Sequence, residues 1–410
     1  MRLQRLCAGL LLGLGLTAAM PAGAQETSCT NRGSFPAWMA DFRREALQNG
    51  ISERTLASAL DGITLDQRII RRDRRQGFFA QSFNDFSKKL ATNHRVQAGR
   101  KKIAAHRRTF DRAEQKYGVP AEVITAFWAL ESDFGAGMGD YPVLQALATL
   151  AYDCRRHELF RAELLSALKI IERGDLRASE MVGSWAGELG QTQFLPTHYL
   201  NHAVDFDGDG HANLFKSDAD IIGSTAAYLK HLGWRAGEPW LQEVVVTRDL
   251  PWQEADLAIK HPRSKWAGWG IRLASGKPLP NDGLGASLLL PMGRHGPAFL
   301  AYDNFDIYLE WNQSLNYATT AAYLATRIGG AAPMQGQDRD IPGLSGEQTK
   351  ELQRRLANRG FDIGKIDGIL GAKTRAAVKA MQLELNLPAD SYPTAELLRR
   401  LSPREASGRN

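Results

Sequence analysis

Apolar residues recur with a helical period through much of this chain. From Pro36 to Gly118, apolar and charged side chains alternate in the 3.6-residue pattern of amphipathic helices. Helix signals continue over residues 119–235, with Pro120 at a helix start, and return from Asn304 to Ile328. Residues 240–300 are richer in Trp, Gly and Pro and contain short runs typical of β-strands. The pattern predicts a mainly α (α+β) protein with a helical N-terminal subdomain and a small mixed α/β subdomain.

A separate compact pattern occupies residues 344–402. It follows a Gly- and Pro-rich stretch that predicts a linker at 331–343. An amphipathic helix is predicted from Ser345 to Asn358, and Thr374 is predicted to cap a later helix. This small three-helix module contains no pair of titratable residues in a catalytic arrangement, so we interpret it as a binding module.

The N-terminus has the three parts of a secretory signal. Arg2 and Arg5 precede an apolar run from Leu6 to Met20, and Ala22-Gly23-Ala24 is a small-residue cleavage site. Residues 1–24 are therefore predicted to be removed on export, with a retained membrane anchor as the alternative. No later apolar run reaches the roughly 18 residues that a membrane helix needs.

Composition excludes several classes of protein. The chain has 410 residues, 43% hydrophobic and 23% charged, which excludes a collagen, a coiled-coil rod or a wholly disordered protein. A net charge of +6 is too mild to indicate nucleic-acid binding. Cys29 and Cys154 remain after cleavage, and an even pair in an oxidising compartment predicts one disulfide, with two buried free thiols as the alternative.

One carboxylate lies on the apolar face of a predicted helix, Ala121–Ser132. Glu131 is seven residues after Ile124 and four after Phe127, so it shares their side of the helix. Burial would raise the pKa of this carboxyl into the range in which it donates a proton at neutral pH. The alternative is a structural glutamate paired with an arginine such as Arg155.

Two further clusters combine small polar groups with aromatic rings. The Gly-rich string from Ser184 to Pro196 has hydroxyl and amide groups that suit a cleft wall, although an ordinary loop is the alternative. The segment from Asn304 to Tyr317 combines aromatic faces with amide and hydroxyl donors, which suits stacking against sugar rings. A core helix with a polar edge is the alternative for this second cluster.

The string from Asp205 to His211 has the spacing of the first seven positions of an EF-hand calcium loop. Position 12 is Lys216 instead of the usual Glu, so the last ligand is expected from the start of the following helix. Asp220 is the first choice for this ligand, and Asp218 is the second. The ion would be structural, Ca²⁺ or Na⁺, and a metal-free turn is the alternative. The predicted ligands are the side chains of Asp205, Asp207, Asp209 and Asp220 and, at position 7, the backbone carbonyl of His211.

Together these motifs resemble the lytic murein transglycosylases of the membrane-type B family over most of residues 35–330. The string that begins at Ser184 is similar to the S-W-A-G-x-x-G-x-x-Q-F-x-P of that family. The C-terminal module looks like a type 1 peptidoglycan-binding domain through Gly360-Phe361, Asp367-Gly368, Gly371 and Thr374. The resemblance implies a lysozyme-like core. Together with the predicted signal and linker, it gives the chain four parts: a signal peptide (1–24), a catalytic domain (25–330), a linker (331–343) and a peptidoglycan-binding domain (344–402).

The resemblance also implies roles for the candidate residues. Glu131, in Glu131-Ser132-Asp133-Phe134-Gly135, falls where the family has its catalytic acid/base. Trp311 stands where the family usually has Tyr. Substrate contacts are implied for Ser184, Gln193, Trp311, Asn312, Ser314 and Tyr317.

The family cleaves the β-1,4 bond between N-acetylmuramic acid and N-acetylglucosamine and leaves a 1,6-anhydromuramoyl end. One carboxylate would serve as acid and then as base, and no cofactor would be needed. A second catalytic carboxylate is not expected, because Asp133, two residues after Glu131, should turn away on the helix. The expected location is the periplasm, and the expected partners are peptidoglycan glycan strands and other cell-wall enzymes. A hydrolytic muramidase and a non-catalytic wall-binding scaffold are the alternative functions.

Overall fold

The structure is a computed structural model that describes residues 33–74, 81–336 and 341–401. The predicted signal peptide and Cys29 lie outside these described residues. Cys154 is disulfide-bonded. None of the helices within the described ranges is both long and apolar enough to cross a membrane.

The described part of the chain is mainly helical. Its α-helices are α1 (Phe35–Gln48), α2 (Glu53–Leu60), α3 (Gln67–Arg74), α4 (Phe83–Leu90), α5 (Asn93–Ala105), α6 (Arg107–Tyr117), α7 (Ala121–Ser132), α8 (Val143–Tyr152), α9 (His157–Arg173), α10 (Pro196–His202), α11 (Asp218–His231), α12 (Arg263–Gly268), α13 (Asp303–Trp311), α14 (Leu315–Ile328), α15 (Gly346–Ala357), α16 (Ala372–Glu384) and α17 (Ala395–Arg400). Its strands are β1 (Tyr141–Pro142), β2 (Val182–Gly183), β3 (Leu241–Val246), β4 (His261–Pro262), β5 (Ile271–Leu273), β6 (Gly285–Leu289) and β7 (Ala298–Ala301). The expected mainly helical fold is confirmed.

The described residues divide into two compact units, one formed by those within 1–76 and 99–231 and one by those within 77–98 and 232–410. In the first unit, α8 packs on α9, and α11 packs on α6 and α7. The sequence predicted one apolar stripe on α7, but the helix is buried on all sides and only Glu122 and Glu131 escape full burial. The neighbouring helices cover it completely because the positions between its large apolar residues carry small ones, such as Ala126 and Ala129.

The second unit contains the expected small mixed subdomain. Its five strands form an antiparallel sheet in the order β4-β6-β7-β3-β5. The core beside this sheet is built from buried aromatic and aliphatic side chains that include Trp252, Trp266, Leu288 and Leu300. In the same unit, α14 packs against α4 and β3.

The C-terminal module is formed by α15, α16 and α17 around a core that includes Leu352, Val378 and Leu397. Ser345, where the first helix of the module was predicted to begin, is the N-cap of α15. The prediction that Thr374 caps α16 is wrong: the N-cap is Gly371, and Thr374 lies buried inside the first turn because the helix already begins at Ala372.

Candidate active site

Glu131 lies in the last turn of α7, one residue before the helix ends at Ser132, and its side chain is half-buried. Asp133 and Phe134 then take left-handed conformations with φ of 50° and 58°, and Gly135 follows with φ of 91°. Three such residues in succession turn the chain sharply away from the helix axis. Asp133 is the C-cap and not a helical residue, so its expected orientation away from Glu131 does not follow from helix geometry and stays a prediction.

Gln191 ties the end of α7 to the Gly-rich loop. The indole Nε1 of Trp128 donates to Gln191 Oε1 at 2.8 Å, and Ser132 Oγ donates to the Gln191 carbonyl at 2.7 Å. Gln191 Nε2 in turn donates to the Phe215 carbonyl at 2.9 Å. A Cβ on Gly135 would lie 2.7 Å from Gln191 Oε1, so this approach requires glycine. Sequence reasoning missed Gln191, whose only signal was its place in the Gly-rich string.

Ser184 and Gln193 shape the same loop. The buried Ser184 accepts the backbone N–H groups of Ala186 at 3.1 Å and Glu188 at 3.2 Å through its hydroxyl oxygen. Gln193 has a φ of 51°, and its amide donates to the Gly190 carbonyl at 2.8 Å. These contacts fix the backbone of the loop, while the contact of either side chain with a ligand stays a prediction.

Glu188 is a second carboxyl group within electrostatic range of Glu131. Burial raises the pKa of Glu188 to about 8; hydrogen bonding from Ser184 lowers this pKa, and the negative charge of Glu131 raises it. A carboxyl with this pKa carries a proton at pH 7. The only signal for Glu188 in the sequence is an acidic residue within a string of mostly small and apolar ones, and no role was predicted for it.

The alternative pairing of Glu131 with Arg155 is not what the structure shows. Arg155 Nη1 lies 2.8 Å from Oδ2 of Asp73, and Arg156 also forms an ion pair with Asp73. Asp73 is buried, so both guanidinium groups compensate its charge.

The remaining predicted substrate contacts lie in the second unit, where α13 meets α14. Trp311 is the half-buried last residue of α13. Asn312 Oδ1 accepts the N–H of Ser314 at 2.9 Å, and Ser314 Oγ accepts the N–H of Tyr317 at 3.4 Å. The Tyr317 side chain is buried. The structure thus groups these four residues in one unit and Glu131, Ser184 and Gln193 in the other.

The EF-hand-like loop gathers three exposed carboxylates. Their ligand oxygens all lie within 4.8 Å of one another, and they belong to Asp205, Asp207 and Asp209. Three negative charges this close repel each other, which suits a bound hard cation. Asp220 is not in this group: it is buried, and its two carboxylate oxygens accept the N–H groups of Phe206 at 2.6 Å and Asn213 at 2.8 Å. Asp220 therefore braces the loop, and its part in metal binding stays a prediction.

Family comparisons agree with this geometry. The profile described as "Transglycosylase SLT domain" matches residues 34–326, and the profile described as "Putative peptidoglycan binding domain" matches residues 345–401. The chain belongs to the transglycosylase SLT family. Its relatives are lytic transglycosylases, which act on the glycosidic bonds of peptidoglycan.

Three relatives document the match. Membrane-bound lytic murein transglycosylase B of Escherichia coli (strain K12) is 34% identical over 244 residues, which are 59% of this chain and 66% of that protein. The crystal structure of SltB3 from Pseudomonas aeruginosa in complex with NAG-anhNAM-pentapeptide shows 44% identity and a TM-score of 0.83, over 90% of this chain and 99% of that one. The structure of Escherichia coli SLT35 in complex with calcium shows 30% identity and a TM-score of 0.61, over 73% and 93%.

These matches confirm the resemblance to lytic transglycosylases and the lysozyme-like helical core that it implied. They also confirm that this transglycosylase is a peptidoglycan-acting enzyme of the lyase class with a peptidoglycan-binding module.

Proposed function

We propose that this transglycosylase cleaves the β-1,4 bond between N-acetylmuramic acid and N-acetylglucosamine and leaves 1,6-anhydromuramoyl ends, with Glu131 as acid and then base. The observation that carries the proposal is the position of Glu131, half-buried at the end of the buried helix α7 and coupled to Glu188. A partly desolvated carboxyl retains its proton at a higher pH than one in water, because burial disfavours the charged form.

The reaction proceeds in two proton transfers. The protonated Glu131 donates its proton to the leaving glycosidic oxygen as the bond to C1 breaks and positive charge develops on the sugar. The ionised Glu131 then takes the proton of the C6 hydroxyl as that oxygen bonds to C1. Because the nucleophile belongs to the substrate, no water has to be held in place, which is an entropic advantage.

The state of Glu188 favours this route over hydrolysis. Hydrolysis with a second carboxylate needs an ionised base that activates water or attacks the sugar. Glu188, with a pKa of about 8, is protonated at pH 7 and does not supply that base. The hydrolytic muramidase is therefore the weaker alternative.

The proposed substrate is a glycan strand that carries peptide stems. SltB3, which is 44% identical to this chain, is described in complex with NAG-anhNAM-pentapeptide. Ser184, Gln193, Asn312, Ser314 and Tyr317 are proposed as sugar contacts, with stacking on the half-buried ring of Trp311. Residues 25–330 would form the catalytic domain, and residues 344–402 would hold the polymer. Interaction with other cell-wall enzymes stays a prediction.

The proposal also covers export of the chain and the stabilisation of its fold by a disulfide and an ion. Residues 1–24 would direct the chain to the periplasm, where Cys154 would be bonded to Cys29. The loop would hold Ca²⁺ or Na⁺ through its three clustered aspartates and the His211 carbonyl, and the ion would stabilise the loop without taking part in the reaction.

The test is the mass of the products from purified peptidoglycan. Anhydro ends weigh one water less than reducing ends, so their appearance supports the proposal and reducing ends alone refute it. Glu131→Gln should abolish product formation, with a loss of at least about a thousandfold. The matched control is Glu122→Gln on the same helix, which should keep activity. Full activity of Glu131→Gln would favour a different catalytic residue.

A further inference from the structure

The C-terminal module is docked on the mixed subdomain within the second unit. Arg375 of α16 donates to the Leu290 carbonyl at 2.8 Å and to the Pro291 carbonyl at 3.3 Å, both just beyond β6. Lys379, one helical turn further along, pairs with Asp256 at 2.7 Å, and its side chain is only 13% exposed. Charged contacts that are this well covered hold the two parts in a fixed arrangement.

A cleft of about 730 Å³ lies between these two docked parts. Its volume falls within the range of pockets that bind small molecules, roughly 300–1,000 Å³. Residues of the mixed subdomain, of the segment 341–343 and of the module all contribute to its walls. Because the walls are docked against each other, the cleft exists before any ligand arrives.

Two glycines leave room for Tyr392 in the wall of this cleft. A Cβ on Gly293, which has a φ of +70°, would lie 2.6 Å from the Tyr392 Cβ. A Cβ on Gly343 would lie 2.7 Å from the Tyr392 hydroxyl oxygen. Larger side chains at either position would therefore displace the tyrosine ring.

The acidic residues of the cleft are already compensated by cations or backbone donors. The buried Asp390 accepts the backbone N–H of Arg294 at 3.0 Å and lies 3.3 Å from its guanidinium. Glu396 forms an ion pair with Arg400 at 2.6 Å.

The wall also contains the exposed Arg399, whose guanidinium makes no hydrogen bond or ion pair with any residue in 33–74, 81–336 or 341–401. The cleft thus offers a cation to a ligand, beside the ring of Tyr392.

We propose that this cleft binds the peptide stem of peptidoglycan, with a stem carboxylate on Arg399 and apolar stem atoms against Tyr392. A guanidinium pairs with a carboxylate through two parallel N–H donors, which gives both orientation and affinity. The inference rests on the proposed function and deepens it, because it assigns peptide recognition to a site outside the catalytic loop. Contact with the stem would select strands that carry peptides.

The test uses the full-length protein and two synthetic probes, a stem pentapeptide with free carboxylates and the same peptide with every carboxylate amidated. Calorimetry should show that Arg399→Gln weakens binding of the free acid roughly tenfold. The charge-matched control is Arg354→Gln, since Arg354 is an exposed residue of α15 that pairs with Glu351 at 3.0 Å and does not line the cleft. This control should bind like the wild type, and the amidated peptide should bind the wild type and Arg399→Gln equally weakly.

Gly343→Val provides a second variant, because it should displace Tyr392 and weaken both peptides. The inference is overturned if Arg399→Gln and Arg354→Gln bind the free acid equally, if amidation changes nothing, or if the wild type does not bind the peptide. The same preparations are assayed for anhydro ends on purified peptidoglycan. Absence of anhydro ends from the wild-type digest would refute the proposed function alone, whereas peptide binding that is independent of Arg399, with activity intact, would refute this inference alone.

Discussion

The carboxyl groups of Glu131 and Glu188 interact electrostatically at the end of α7. Burial is the larger cause of the raised pKa of Glu188, about 8, and the charge of Glu131 adds to it. Coupling between two acids is reciprocal, because each ionised carboxylate disfavours ionisation of the other. With a pKa of about 8, Glu188 holds a proton at neutral pH, so it stays an uncharged neighbour while Glu131 changes between its acid and base forms.

Glu188→Gln should shift only the alkaline limb of the activity profile, above about pH 8. Below that pH the Glu188 carboxyl is uncharged, so the amide leaves the electrostatic field at Glu131 unchanged. Above it, the ionised Glu188 of the wild type favours the protonated form of Glu131, and because the variant lacks this charge we expect its kcat/KM to fall more steeply there and to match the wild type at pH 5–7. The measurement is the pH dependence of the release of anhydro products.

Glu180→Gln is the control for this shift. Glu180 lies close to Glu188 in sequence, but its carboxylate is in ion pairs with Arg177 at 3.1 Å and Lys216 at 2.8 Å. Its substitution should leave the alkaline limb where it is in the wild type. An unchanged limb in Glu188→Gln would show that the coupling does not affect the reaction.

The contrast between Glu131 and Glu188 shows how far sequence reasoning reaches at this site. The place of Glu131 near the end of a helix could be predicted because that helix has a clear apolar pattern, and the predicted bounds Ala121–Ser132 are those observed. Glu188 and Gln191 were missed because their roles depend on contacts between α7 and a loop distant in sequence. Only the folded structure brings such groups together, and no local periodicity in the sequence indicates these contacts.

Gly135→Ala should destabilise the protein more than an ordinary glycine substitution. An added Cβ would meet Gln191 Oε1 at 2.7 Å and displace the amide that joins Trp128 to the loop. We expect a loss of about 2–4 kcal/mol in the free energy of unfolding, measured by urea denaturation. Activity should fall as well, because the end of α7 that carries Glu131 is tied to this loop through Gln191.

Gly62→Ala separates steric overlap from backbone strain. Gly62 also has a positive φ, +78°, but a Cβ there meets nothing within 4 Å. This variant should lose only about 1 kcal/mol and keep full activity. Equal losses in the two variants would mean that contact with Gln191 is unimportant.

Calcium should raise the melting temperature through the aspartate cluster. Asp209 is the best probe, because its carboxylate accepts one loop N–H, that of His211 at 2.9 Å, and its amide analogue can still do so. We expect millimolar Ca²⁺ to raise the Tm of the wild type by several degrees, and Asp209→Asn to lose most of this rise. The control Asp41→Asn removes an exposed carboxylate of α1 and should respond like the wild type. A calcium effect that is equal in all three proteins would argue against the loop as the site.

The C-terminal module shows a different limit of prediction. The cap of α15 was predictable because Ser345 and Gln348 form a reciprocal capping box that is local in sequence. Thr374 was wrongly predicted as a cap, because its hydroxyl is used within the core, where it accepts the side-chain amide of Gln353 at 3.3 Å. The docking of Arg375 on the carbonyls beyond β6 could not be predicted either, since the sequence around an arginine that is exposed to solvent would look the same.

Two histidines of the first unit, His198 and His202, should make stability fall in mild acid. His202 packs against His231 with ring centroids 4.4 Å apart, and His198 and His202 both contact Tyr228 at 4.9 Å. Burial, followed by the neighbouring His231 and His198, lowers the pKa of His202 to about 4, and burial also lowers that of His198. The fold therefore favours the neutral rings.

The unfolded chain takes up protons first as the pH falls below the ordinary histidine value of 6.5, so this stability is complete above pH 6.5 and is lost down to about pH 4. We expect a loss on the order of 1 kcal/mol for His202 after solvent screening. His202→Gln should give up some packing at neutral pH but flatten the fall in Tm between pH 6.5 and pH 4, whereas His94→Gln, at an exposed histidine of α5, should not. Parallel Tm curves for the wild type and His202→Gln would contradict this origin of the acid sensitivity, because a ring that stays neutral in the fold must make stability depend on pH.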